Sequence, residues 1–145
     1  MTIEPKIGVG SLHFGMNASQ IEDLLGPPAS VQIDSTTGFA MWDYGNNELA
    51  AIFLGEGKLT SVLVVPTSET LLWGNELFRM PAESIKRLLA SNGHECKYVP
   101  SCHPAVRHQM EAYSAGLSFT LKDHRCDDVE VMTNDPSAAV QRIPS

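Results

Sequence analysis

The chain has no apolar run near the roughly 18 residues that a membrane-crossing helix needs. Its opening, MTIEPKIGVG, has neither the basic patch nor the apolar core of a secretory signal, which leads to the expectation of a soluble, cytoplasmic protein. Cysteine is scarce, with three in 145 residues. An odd number without a secretory signal argues for free thiols rather than a disulfide framework. Basic residues are also few: ten Lys and Arg stand against 17 Asp and Glu, a net charge of −7. Phosphates would repel such a chain, so nucleic acid is not an expected partner, whereas a basic protein is.

The charge is unevenly spread. Residues 1–66 hold seven acids against Lys6 and Lys58, a net of −5, while residues 67–145 hold ten acids against eight bases, a net of −2. The 43% apolar content is that of a globular chain, and the 19% charged fraction is too low for a disordered one. A chain of this length fits one compact domain, 1–145.

The segment 12-LHFGMNASQIEDLLGPP-28 has an echo in 77-LFRMPAESIKRLLASNG-93. With Met16 on Met80, Phe14 falls on Phe78, Ile21 on Ile85, Leu24 on Leu88 and Leu25 on Leu89. The i, i+3, i+4 spacing predicts a short amphipathic helix in each copy. Asn17 with Gln20 three residues on predicts a capping box, and Gly26-Pro27-Pro28 a stop. Behind each helix come short runs rich in β-branched and aromatic residues: 29–33, 38–44, 49–54 and 59–65, then 94–99, 105–113, 117–121 and 129–132. These predict an α+β fold of two tandem helix-plus-antiparallel-meander repeats, 7–65 and 74–133, packed or joined into one domain, with 134–145 as a tail. Apolar residues alternating onto a second face at Leu49, Phe53, Leu63 and Val65 would need cover from the other half or from the linker 66–76.

Three sets of residues offer chemistry. The run 94-HECKYVPSCHPAVRH-108 with 124-HRC-126 holds all three cysteines and four of the five histidines, so Cys96, Cys102, His103 and Cys126 form a weak zinc candidate set. The spacing argues against it: there is no C-x₂₋₄-C pair, and Cys102 and His103 are adjacent, hence on opposite sides of a strand. No metal or other cofactor is expected. A thiol enzyme would bring Cys102 together with His108 and Glu111, but nothing in the sequence indicates a depressed thiol pKa, and no catalytic residues are assigned. The glycines of 8-GVGSLHFG-15 do not spell a nucleotide loop, and His94-Glu95 has no second histidine four residues on. The third set is acidic: 42-WDYGNNE-48, where aromatics flank an acid beside a turn, and the last hairpin. Asp43, Tyr44, Glu48, Glu56, Asp123, Asp127 and Asp128 are the candidate partner-binding residues. Against this stands the ordinary reading of Trp42 and Tyr44 as core residues sharing a strand face.

The segment 14-FGMNASQIEDLLGPP-28, through Gly15, Leu25, Gly26 and Pro28, resembles the opening of two kinds of small bacterial protein. One is the outer-membrane assembly lipoproteins of the BamE/SmpA type; the other is the cytosolic immunity proteins that neutralise polymorphic or contact-dependent toxins. No cysteine precedes residue 96, so the lipoprotein anchor is missing from the pattern. The resemblance implies a small, acidic, non-enzymatic protein that binds a cognate toxin domain, expected to be basic and nuclease-like. It transfers no contact residues, since the matched glycine and proline shape helix ends. An acidic secretion-chaperone-like protein that holds an effector segment is the alternative, and a zinc protein or thiol enzyme the third reading.

Overall fold

The computed structural model describes residues 1–45, 49–99 and 107–133. Its strands are β1 (Thr2–Glu4), β2 (Gly8–Val9), β3 (Leu12–His13), β4 (Ser30–Ile33), β5 (Ala40–Asp43), β6 (Leu49–Gly55), β7 (Lys58–Val64), β8 (Leu71–Leu72), β9 (Asn75–Glu76), β10 (Lys97–Val99), β11 (Arg107–Ala112), β12 (Leu117–Lys122) and β13 (Arg125–Met132). The helices are α1 (Ala18–Leu25) and α2 (Ala82–Ser91), with a single 3-10 turn at Tyr113–Ala115.

The expected α+β class, two tandem helix-plus-antiparallel-meander repeats, is overturned. Of the described residues 46% are in strands and 17% in helices, and the strands form two sheets, so the fold is mainly β. The smaller sheet runs β3-β2-β1-β8-β9, and β1 pairs with β8 in parallel. That parallel pair, β1 from the first residues and β8 from the linker, lies outside both expected repeats, while the sheet's β2, β3 and β9 come from within them. Four of its five strands have only two residues, too short for any alternation to show in the sequence. The larger sheet is continuous over eight strands, β10-β11-β12-β13-β7-β6-β5-β4, with β7 and β13 antiparallel at its centre.

Local chemistry explains the ends of these elements. Asn17 caps α1: its Oδ1 accepts from the Gln20 N–H at 2.9 Å, while Gln20 Oε1 accepts from the Asn17 N–H at 3.0 Å. Pro81 starts α2 as N-cap rather than first helical residue, without a side-chain cap. The two-residue hairpin turns Glu56-Gly57, Trp73-Gly74 and Asp123-His124 all have positive φ, the left-handed pair that matches the twist of paired strands.

One face of the larger sheet is the core side. Ile52, Val62, Phe119 and Val129 of that face are buried with Ile21, Ile85 and Leu89 of the two helices and Ile3, Leu12 and Leu72 of the smaller sheet. The helices and the smaller sheet thus share one side of the larger sheet, and Met41, Phe53 and Leu63 fall on the other, outer side.

Candidate functional site

Strand pairing sets a row of residues across the outer face. Asp43 pairs with Ala51, Ala51 with Leu63, Leu63 with Glu130, Glu130 with Ser118, Ser118 with Glu111, and Glu111 with Lys97. Their neighbours along each strand, Trp42, Ile52, Val62, Val129, Leu117 and Met110, are buried on the core side, so alternation puts the whole row outward. Strands lie about 4.8 Å apart, which separates Asp43 from Glu130 by roughly 14 Å and Glu130 from Glu111 by roughly 10 Å. Asp128, two residues before Glu130, faces the same way.

Two carboxylates of the row are held in place. Asp43 Oδ1 accepts from the Gly45 N–H at 2.8 Å, and Glu130 Oε2 accepts from the Ser61 hydroxyl at 2.8 Å. Glu111 neighbours Tyr113, whose phenol pKa it raises above the ordinary value as the first of the causes, followed by burial. Fixed carboxylates lose little freedom on meeting a cationic partner, which favours binding.

The sequence candidates are thus divided. Asp43 and Asp128 lie on the outer face beside Glu111 and Glu130. Asp123, in the left-handed turn between β12 and β13, and Asp127, at the irregular step in their pairing, lie at the end of the sheet where β5 finishes. Glu56 does not join them: it occupies the β6–β7 turn, at the opposite end of the sheet. Tyr44 is a structural residue, its hydroxyl bonded to the Gly26 carbonyl and its ring against the core. Glu48 lies outside the described residues, as do Cys102 and His103.

Of the metal and thiol candidates, Cys96, Cys126, His108 and Glu111 lie among the described residues. Among the described residues no three His, Cys, Asp or Glu side chains converge as a metal site. Cys126 is buried, and that burial, followed by the charges of Asp128 and Asp127, pushes its thiol up to about 12, so it stays protonated at neutral pH. A protonated thiol neither attacks nor ligates. His108 and Glu111, three apart on β11, point to opposite faces, and the His108 ring stacks on His124 instead, with centroids 6.4 Å apart.

A second feature escaped the sequence reading. Trp73, in the β8–β9 turn, stacks on His94 with ring centroids 5.5 Å apart and 15° from parallel, and His94 Nδ1 lies 2.7 Å from the Ser114 hydroxyl. With Ile3, Ile7 and Lys6 these rings line a cavity of about 450 Å³. Only a tertiary contact joins positions 73, 94 and 114, so no local pattern announces it.

No family model matches the chain, and no curated protein does. A solved structure is similar in fold: the 1.5 Å crystal structure of an extracellular protein containing an SCP domain, from Bacillus anthracis str. Ames. It aligns with a TM-score of 0.53 and 12% identity over 88% of this chain and 45% of that one. The chain therefore spans less than half the length of that protein, and the likeness is one of fold.

Proposed function

We propose that this chain is a non-enzymatic immunity-type inhibitor, which binds a basic toxin domain of the nuclease kind and covers the groove that would hold the toxin's substrate. The observation that carries the reading is the acidic row on the outer face. Asp43, Glu130 and Glu111 lie in one register across the larger sheet, the first two each anchored by a hydrogen bond, with Leu63 between them. Carboxylates at fixed positions can stand in for the phosphates of a nucleic acid and pair with the Lys and Arg that would have gripped it. Apolar surface among them adds contact area at the centre of such an interface.

The test is co-expression with the product of the neighbouring gene. A toxic neighbour whose growth arrest is relieved by this chain, and which co-elutes with it as a complex that dissociates at high salt, supports the reading. Neighbours that are all non-toxic, or a toxic one that this chain neither binds nor silences, would overturn it.

A further inference from the structure

The larger sheet ends on β4, a strand whose outer edge faces no other described strand. Proteins usually guard such edges with a charge, a proline or an irregularity. The opposite edge, β10, carries Lys97. β4 reads Ser-Val-Gln-Ile, has no charge, and all four of its residues are exposed, Val31 at 47% and Ile33 at 70%.

The register shows which backbone groups are free for pairing. β4 and β5 pair with Ser30 on Asp43, Val31 on Trp42, Gln32 on Met41 and Ile33 on Ala40. One step further along the same register, the Asp34 N–H donates to the Phe39 carbonyl at 2.8 Å. Hydrogen-bonded pairs alternate in an antiparallel ladder, so Ser30, Gln32 and Asp34 turn their N–H and C=O toward β5. Val31 and Ile33 turn theirs outward.

We infer that β4 pairs with β4 of a second copy of this chain, antiparallel, with Val31 opposite Ile33 of the second copy and Gln32 on the two-fold axis. In that register the outward N–H and C=O groups of Val31 and Ile33 in both copies all find partners. Val31 and Ile33 also share the core-side face of the sheet, so the contact places four β-branched side chains side by side, a favourable cross-strand set. Charge agrees: a protein of net −7 meets its copy along an uncharged edge, and Asp34 falls opposite Ser30 rather than another acid. Two four-residue strands bury less than the roughly 1,200 Å² of a standard interface, so the dimer is a reversible one with a Kd on the order of 10–100 μM. The two-fold axis stands normal to the sheet, which brings both acidic rows onto one side of a sixteen-stranded sheet. The pairing itself is independent of the toxin reading and is tested without any toxin.

Sedimentation of the full chain from about 5 μM to about 500 μM reads the equilibrium directly. The weight-average mass is expected to rise about 1.4- to 1.6-fold across that range. Ile33→Pro removes an outward N–H without touching the β4–β5 ladder and is expected to remain a monomer throughout; Val31→Lys, which places a charge at the contact, should do the same if the proline variant does not fold. Gln32→Cys places two thiols about 4.5 Å apart between Cα atoms at the non-hydrogen-bonded centre of the pair, and should cross-link under mild oxidation where the parent chain does not. A chain that stays monomeric at the highest concentration overturns the inference. So does a dimer that survives both edge substitutions, or a Gln32→Cys chain that gives no more cross-link than the parent.

Discussion

The Tyr44 hydroxyl donates to the carbonyl of Gly26 at 3.0 Å, tying the residue after β5 to the end of α1. That carbonyl lies just past the last turn, where helix oxygens have no partner of their own. Tyr44→Phe keeps the ring and removes the donor. The expected loss is about 1 kcal/mol, seen as a fall in Tm of roughly 2–4 °C. Binding of a basic partner should be unchanged, because the hydroxyl points into the fold.

The outer-face row predicts a contrast between two charge reversals. Glu111→Lys places a cation in the row, while Glu56→Lys places one in an exposed turn at the other end of the sheet. Against a basic toxin domain the first should weaken binding at least about tenfold and flatten its salt dependence; the second should leave both near the parental values. Titration calorimetry at two salt concentrations separates the cases. Equal losses from both would show that overall charge, not the row, governs binding.

Glycine at position 116 predicts a steric cost. Its φ is +67, and a Cβ there would lie 2.6 Å from the Met132 carbonyl oxygen, which belongs to the backbone and has no side-chain freedom to yield. The Gly116 carbonyl also accepts from the Met132 N–H at 2.8 Å, fixing the approach. Gly116→Ala should destabilise the chain by more than the roughly 1–2 kcal/mol of the left-handed conformation alone, measurable by denaturant unfolding.

How much of this was legible in the sequence depends on the range of the signal. The α1 capping box is a four-residue pattern, and Asn17 and Gln20 form it as read. The strands with clear alternation, β6, β7, β12 and β13, were legible for the same reason. Leu49 was misplaced on the outer face, because the β6–β7 pairing shifts register between Leu49 and Ala51 and a bulge reverses every side chain beyond it. It is buried on the core side, paired with Val64. The smaller sheet was illegible, since two-residue strands such as Leu71–Leu72 carry no period, and the pairing that joins its two parts, β1 with β8, spans some seventy residues. Of the acidic row, Asp43 and Glu130 could be suspected from composition. That Asp43 shares a line with Glu130 and Glu111 follows only from the meeting of β7 and β13, which no local pattern encodes.

Cys126 predicts the alkaline limit of the fold. Its thiol donates to the Asp128 carbonyl at 3.7 Å, and burial, then the charges of Asp128 and Asp127, raise it from an ordinary 9.0 to about 12. A group whose pKa is higher in the folded state contributes stability that is complete below its unfolded pKa and is lost as pH rises toward the folded value. The window here is pH 9 to about 12. Ionising the thiol in the unfolded chain alone makes a loss on the order of 4 kcal/mol across that window. Tyr44, raised by burial and by Glu22, adds to the decline above pH 10. Cys126→Ala should be slightly less stable than the parent at pH 7, through the small cavity it leaves, yet lose less stability between pH 9 and 11. Urea unfolding at a series of pH values gives both limbs. A parent and variant whose stabilities fall in parallel above pH 9 would show that the thiol is not the group being titrated.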